Sequence, residues 1–275
     1  MASFETKAES IEDNMIPAFQ ELMRYRDLLY MVTWREISVK YKQTVFGFLW
    51  AILMPLIIVS AGILVRYAFS LLSGRGLGDA DVASIAIKSV PWAFFVSAIR
   101  FSSISLISNA NLVTKIYFPK VIFPIAAVLS QLIDLSLASV VLLALLSVMK
   151  IGMSWQLLWV PVFLIILILF VTGLATFLSA ASLFFRDVKY VVEVVLTFAI
   201  FFTPVLYEVS HLGSKGHFLL LNPVAPILEG LNSCIVYRNP PQLAWILYSG
   251  LISVVTFAFS MRVFYILQPR FAESI

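Results

Sequence analysis

Cysteine, histidine and charged side chains are scarce in this chain of 275 residues. Charged residues make up 12% of it, which is about half of their share in a soluble domain. The lone Cys234 excludes an intramolecular disulfide and a cysteine metal site. His211 and His217 have no further histidine or cysteine close by in the sequence, so we expect no metal centre.

Motifs for nucleotide binding and hydrolysis are also missing. No Gly-x-x-x-x-Gly-Lys-Ser/Thr run occurs, so the sequence contains no P-loop for ATP. No Ser/His/Asp pattern indicates a catalytic site, and the apolar stretches contain too few ionisable residues to form a proton path. We therefore expect no catalytic residue and no cofactor bound by this chain. A transport function would draw its energy from a separate subunit at the cytoplasmic face.

Long apolar runs dominate what is present, and hydrophobic residues make up 61% of the chain. A helix crosses a hydrocarbon core of about 30 Å with roughly 20 residues. We therefore predict an all-α, polytopic membrane protein with six transmembrane helices. The predicted spans are 45–70, 90–107, 121–149, 157–185, 190–207 and 243–267.

Lysine and arginine are unevenly distributed between the loops of this topology. With both termini in the cytoplasm, about twelve fall on the cytoplasmic side and about five on the far side, as the positive-inside rule requires. The excess positive charge follows from this bias and does not indicate a nucleic-acid partner. We predict a multi-pass protein of the cell inner (cytoplasmic) membrane with both termini inside.

The hydrophilic N-terminal part divides into a polar tail at 1–21 and a segment at 22–43, before a transmembrane domain at 44–275. Apolar residues of the second segment form two stripes on roughly opposite faces of a helix. We predict an amphipathic interface helix that bends near Val32 or is buried on two sides. The alternative is a plain basic segment before a membrane span. Candidate residues at a cytoplasmic substrate entrance are Trp34, Arg35, Lys40 and Tyr41.

Arg100 and Asp134 are ionisable residues well inside predicted spans, where charge is costly. At about 1.5 Å per residue they lie within about 5 Å in depth on adjacent antiparallel helices. We predict a structural ion pair between them, and a wet cavity with a transport role is the alternative. The sequence assigns no role to Arg66 in the first span.

Aromatic side chains recur near the ends of the predicted spans. Such residues anchor helices at the membrane interface, and their rings also offer surfaces on which sugars stack. Both interpretations stay open from the sequence. Candidate residues of a channel lining are Trp50, Trp92, Phe94, Phe95 and Tyr207.

Two predicted loops differ in character. The cytoplasmic loop at 108–120 mixes amides, bases and large apolar groups, which suits docking onto a soluble partner. The loop at 73–88 contains several glycines, lacks the context of a nucleotide-binding loop and faces outward. We interpret it as a flexible connector.

Several strings together resemble a known family. They are Trp34-Arg35-Glu36-Ile37-Ser38 running to Trp50, Pro91-Trp92 with Phe94-Phe95, Asn109-Ala110-Asn111-Leu112 running to Lys120, Phe185-Arg186-Asp187-Val188, Phe202-Thr203-Pro204-Val205 and Leu221-Asn222-Pro223. Their order and spacing resemble the permease subunits of type-2 ABC exporters for cell-surface polysaccharides, such as O-antigen and teichoic-acid exporters. The resemblance runs from about Leu22 to the C-terminus.

This resemblance implies an ABC-2 type exporter fold in a homodimer, with a channel between the protomers and an interface helix before the first span. It implies two copies of a separate ABC ATPase subunit that binds ATP and Mg, and a polyprenyl-pyrophosphate-linked glycan as substrate. The ATPase-coupling residues would be Asn111, Lys115, Tyr117, Phe118, Pro119 and Lys120. The alternatives are an ABC-2 permease for a drug or small lipid, and a membrane assembly factor without transport.

Overall fold

The computed structural model describes residues 22–42, 49–73, 78–115, 118–152 and 154–273, and these residues form helices and connections without a β-strand. The predicted tail at 1–21 lies outside the described residues. The α-helices are α1 (Arg26–Lys42), α2 (Leu49–Ser73), α3 (Asp79–Ser103), α4 (Ser105–Ser108), α5 (Ala110–Lys115), α6 (Ile122–Val148), α7 (Val160–Phe184), α8 (Val188–Phe202), α9 (Val224–Ile235) and α10 (Leu243–Leu267). Short 3₁₀ stretches cover Trp155–Trp159, Val209–Leu221 and Gln268–Glu273.

Four helical stretches of the described residues are long and apolar enough to cross a membrane. They are Asp79–Ser103, Ile122–Val148, Trp155–Phe184 and Leu243–Phe271. The predicted first and fifth spans fall on α2 and α8, and α8 has 15 residues, which at about 1.5 Å each is shorter than a hydrocarbon core. The all-helical, multi-pass architecture is confirmed, and the count of six spans stays a prediction.

The start of α3 corrects the predicted connector at 73–88. Gly78 precedes the helix, and its backbone N–H donates to the carboxylate of Asp81 at 3.1 Å. Asp79 and Asp81 place negative charge at the helix N-terminus, where the macrodipole favours it. The second span therefore begins at Asp79 instead of residue 90, and Lys88 lies inside the helix.

Helix α3 lies at the centre of the fold. Of its most apolar window, 78% is buried, against 28% or less for the other three candidate spans. Its buried face includes Ala83, Ile87 and Ile99, which belong to the main apolar core together with residues of α6, α7 and α9. The peripheral helices leave much of their surface for lipid or for another chain.

Helices α7 and α10 approach each other closely because Gly173 has no side chain. A Cβ atom at this position would lie 2.7 Å from the Cα of Phe257 in α10. Small residues at such contacts let helix backbones pack tightly in a membrane, where apolar burial alone gives little driving force. Nearby, the hydroxyls of Ser105 and Ser179 hydrogen-bond at 2.9 Å and join α4 to α7.

Helix α1 is one uninterrupted helix, so the predicted bend near Val32 is not formed. Val32 is buried in an apolar cluster with the start of α6 and the turn that precedes it. Ile37 and Tyr41 are buried further along α6. The alternative prediction, burial on two sides, agrees better with this packing, although Tyr30 and Trp34 from the second stripe stay exposed.

Candidate functional site

The most polar contact between α1 and the membrane-spanning helices is centred on Asp134 in α6. Lys40 and the Tyr41 hydroxyl both donate to its carboxylate. Lys40 also donates to the side-chain oxygen of Gln131 at 2.8 Å. The Lys40 and Asp134 side chains are 26% and 19% exposed, so this pair is partly shielded from solvent.

Tyr41 remains a hydrogen-bond donor over a wide pH range in this setting. Burial, together with the hydrogen bond and negative charge of Asp134, raises the pKa of the Tyr41 phenol well above its ordinary value. The phenol therefore keeps its proton, and with it the hydrogen bond to Asp134, to a higher pH than an ordinary tyrosine does. This contact fixes the C-terminal turn of α1 against the middle of α6.

A second contact joins α1 to the short helices α4 and α5. Arg35 donates to the side-chain oxygen of Asn109 at 2.5 Å and to Glu36 at 2.8 Å. Asn109 in turn donates to the carbonyl of Ser105 at 2.8 Å. A movement of the turn between α4 and α5 would therefore be transmitted to α1 through the Arg35–Asn109 hydrogen bond.

The predicted entrance residues differ in accessibility. Trp34 is 58% exposed and stacks on Tyr30, with ring centroids 6.5 Å apart. The Arg35 side chain is 41% exposed. Lys40 and Tyr41 are engaged with Asp134, so only Trp34 and Arg35 of this group present substantial free surface.

The predicted coupling residues also divide by exposure. Asn111 and Lys115 are exposed on α5. Phe118 is 6% exposed and packs edge-on against Phe123, and Pro119 is also buried. The ammonium of Lys120 lies over the Phe118 ring at 4.8 Å, and burial lowers the pKa of this lysine. Tyr117 lies outside the described residues. Among the described residues, the accessible part of the predicted coupling segment is thus α5.

The predicted ion pair between Arg100 and Asp134 is wrong. Asp134 pairs with Lys40, and Arg100 pairs with Glu193 on α8 through distances of 2.7 and 3.0 Å. Arg100 lies in the last turn of α3 and reaches α8, whereas α1 brings Lys40 to Asp134.

The aromatic residues predicted to line a channel are mostly core residues. Trp92, Phe94 and Phe95 are 3%, 2% and 7% exposed, and Phe95 stacks between Trp92 and Phe170. Side chains buried inside one chain do not face a channel between protomers, so the packing disagrees with the predicted channel-lining role of these three residues. Tyr207 is half-buried and its hydroxyl donates to the carbonyl of Phe201 at 2.9 Å. The side chain of Trp50 lies outside what the structure describes.

A polar cluster at the opposite end of α3 escaped sequence analysis. Lys88 is fully buried and donates to the carbonyl of Tyr207 at 2.5 Å and to Glu229 at 3.3 Å. Glu208 accepts from the hydroxyl of Tyr237 at 2.8 Å. A lysine inside an apolar run requires a partner, and the acids between the fifth and sixth predicted spans were the signal available.

Arg66 also finds its role in this part of the chain. Its guanidinium pairs with Asp81 at the start of α3, and both side chains are about three-quarters shielded. The contact ties α2 to α3 through groups that the sequence alone left unassigned. It lies at the same end of the bundle as Lys88.

Comparison with known proteins agrees with this architecture. The family model described as ABC-2 type transporter matches residues 27–236. A protein of Myxococcus xanthus named O-antigen export system permease protein RfbA is 26% identical over 264 residues, which are 95% of this chain and all of the relative. Two proteins of Klebsiella pneumoniae with the same name are 27% identical over 253 residues, 90% of this chain and 94% of each relative. The family match covers most of the helical core, and the chain therefore belongs to the ABC-2 type transporter family.

Proposed function

We propose that the chain is the permease subunit of an ATP-driven exporter that moves a polyprenyl-pyrophosphate-linked polysaccharide of O-antigen type across the inner membrane. The observation that carries this proposal is the similarity to O-antigen export permeases over at least 90% of the chain. An alignment of that extent includes α1, the predicted cytoplasmic loop at 108–120 and the segments between α8 and α10. A drug or small-lipid permease has no comparable support.

In this proposal the protomer has six spans, both termini in the cytoplasm and a second copy beside it, with the channel between them. Several helices of the single chain have exposed apolar faces that suit such a neighbour or lipid, and α8 is one of them. Helix α8 exposes a row of large apolar side chains. They are Val191, Val194, Val195, Phe198 and Phe202. Apolar rows of this kind are stable in a membrane and are covered on assembly.

The energy source in this proposal is a separate ABC ATPase that holds ATP and Mg. The sequence has no P-loop, so nucleotide must be bound elsewhere in the complex. Helix α5 offers Asn111 and Lys115 as an exposed polar surface for that subunit. The Arg35–Asn109 contact would carry its movement to α1.

The pyrophosphate headgroup would meet α1 at the cytoplasmic surface. Arg35 is the best candidate because its planar guanidinium binds phosphate oxygens in pairs and is partly exposed. Trp34 would provide an exposed ring beside it. Lys40, which the sequence also proposed for this role, is occupied by Asp134 and would act in anchoring α1.

The experiment is an export assay in a strain that lacks this chain, complemented with wild type or variants. Arg35→Gln should lower surface polysaccharide about tenfold, since a lost charged hydrogen bond is worth about 1.5 kcal/mol or more. Arg26→Gln is the matched control, because Arg26 lies on the same helix with its side chain 76% exposed. Unaltered surface polysaccharide in the strain without the chain would contradict the proposed function.

A further inference from the structure

A cavity of about 350 Å³ lies within one chain between α9, the start of α10 and the stretch Val209–Leu221. We propose that it binds one neutral, hydroxyl-rich unit of monosaccharide size. The volume suits a ligand of this size, since small-molecule sites begin at about 300 Å³. The identity of the ligand as a sugar unit of the cargo rests on the proposed function, whereas the cavity and its chemistry do not.

Asn232 supplies an unused hydrogen-bonding group at this cavity. The residue lines the cavity and is 1% exposed. Its side-chain oxygen has no hydrogen-bond partner among the described residues. Buried polar atoms are nearly always satisfied in folded proteins, so an unpartnered amide oxygen on a residue that lines the cavity favours a ligand that donates to it.

The charge of the walls selects against anions. The described lining includes the carboxylates of Glu208 and Glu229 and one imidazole, His217, but no lysine or arginine. Lys88 reaches Glu229 from behind at 3.3 Å, and Tyr237 donates to Glu208 at 2.8 Å. Carboxylate oxygens accept several hydrogen bonds each, which suits sugar hydroxyls as donors and repels phosphate.

An aromatic wall completes the site. Trp245 lines the cavity half-buried, and its ring is held edge-on to Tyr248 at 5.7 Å. Tyr248 is itself fixed by a 2.6 Å hydrogen bond to the carbonyl of Leu221. A fixed ring in a lining that also contains carboxylates and an amide matches a pyranose, which has an apolar C–H face and a polar rim.

The position of the cavity suggests its use. It lies at the end of α3 where Lys88 is found, and the proposed topology puts this end outside the cell membrane. It is formed by one chain and does not require a channel between protomers. A sugar unit leaving the transporter, or one already displayed nearby, could occupy it.

Saturation-transfer NMR on the purified full-length chain in lipid nanodiscs tests the proposal directly. The probes are free glucose, galactose, mannose, rhamnose and N-acetylglucosamine, with glucuronate as the anionic comparison. At least one neutral sugar should give transfer, with glucuronate at least fivefold weaker. Trp245→Leu should lower the transfer at least fivefold, and Trp155→Leu should not, because Trp155 is 85% exposed and outside the lining.

A second variant separates binding from folding. Asn232→Leu removes the orphaned acceptor at nearly constant size, so the thermal midpoint should stay equal or rise while sugar binding falls. Absence of transfer from every neutral sugar, equal transfer from glucuronate, or unchanged transfer in both cavity variants would overturn the proposal. These results concern binding by the purified chain, so they are independent of the export assay that tests the proposed function.

Discussion

Two of the ion pairs among the described residues offer a graded test of how burial sets their strength. Lys40–Asp134 has side chains 26% and 19% exposed, and Arg100–Glu193 has side chains 44% and 47% exposed. Removing a partner from a shielded, hydrogen-bonded charge costs about 1.5–3 kcal/mol, whereas pairs open to water, as expected for Arg100 in the last turn of α3, contribute about 0–1 kcal/mol. We therefore expect a coupling energy of about 2 kcal/mol for the first pair and below about 1 kcal/mol for the second.

The measurement is a double-mutant cycle for each pair, followed by SDS-driven unfolding in mixed micelles with tryptophan fluorescence. The variants are Lys40→Met with Asp134→Asn, and Arg100→Gln with Glu193→Gln. Each cycle cancels the effects that a single substitution has on its own. Equal coupling in the two cycles, or stronger coupling for Arg100–Glu193, would refute the argument from burial. If Asp134→Asn lost export with normal stability, a transport role for the shielded cluster would replace the anchoring role.

Three further predictions concern packing, pH and docking. Gly173→Leu should lower the thermal midpoint or prevent folding, because a side chain there meets the Phe257 backbone, whereas Gly250→Ala, with its nearest atom at 3.8 Å, should have little effect. Because the pKa of Tyr41 is raised in the folded state, the folded protein keeps the phenol proton above about pH 10, where the unfolded chain has lost it. The free energy of unfolding should therefore fall as the pH rises above about 10, and Tyr41→Phe should make this fall less steep. Lys115→Glu should reduce recovery of the companion ATPase in pull-downs, while Lys42→Glu, on α1, should not.

The membrane class could be predicted because apolar length is a local property of the sequence. Runs at 121–149, 157–185 and 243–267 coincide with α6, α7 and α10 to within a few residues. The helix before the first predicted span also coincides with α1. These elements satisfy their backbone hydrogen bonds within themselves, so composition and period suffice to find them.

The polar contacts could not be predicted because they depend on packing between distant segments. Lys88 interrupts the apolar run, so the sequence pattern predicted a second span from residue 90 instead of from Asp79. The sequence pattern paired Asp134 with Arg100 because the two were expected at similar depths in the membrane. The partner in the structure is Lys40 of α1, which lies against α6. Choosing among several possible partners requires the tertiary arrangement.

The aromatic residues show the same limit. Sequence patterns place rings near membrane ends, but they do not separate rings that face lipid, core or a cavity. Trp92 and Phe95 pack inside the chain, whereas Trp245 lines a cavity that no local pattern indicated.

We propose that a separate ATPase drives this permease subunit through the predicted cytoplasmic loop at 108–120. The most direct measurement is to co-express the chain with the ATPase encoded beside it, purify the complex and determine its stoichiometry and its nucleotide hydrolysis after reconstitution with lipid-linked glycan. The account predicts a complex with two copies of each subunit, in which glycan stimulates hydrolysis and neither export nor hydrolysis occurs without the companion. Full export activity by the chain alone would contradict it.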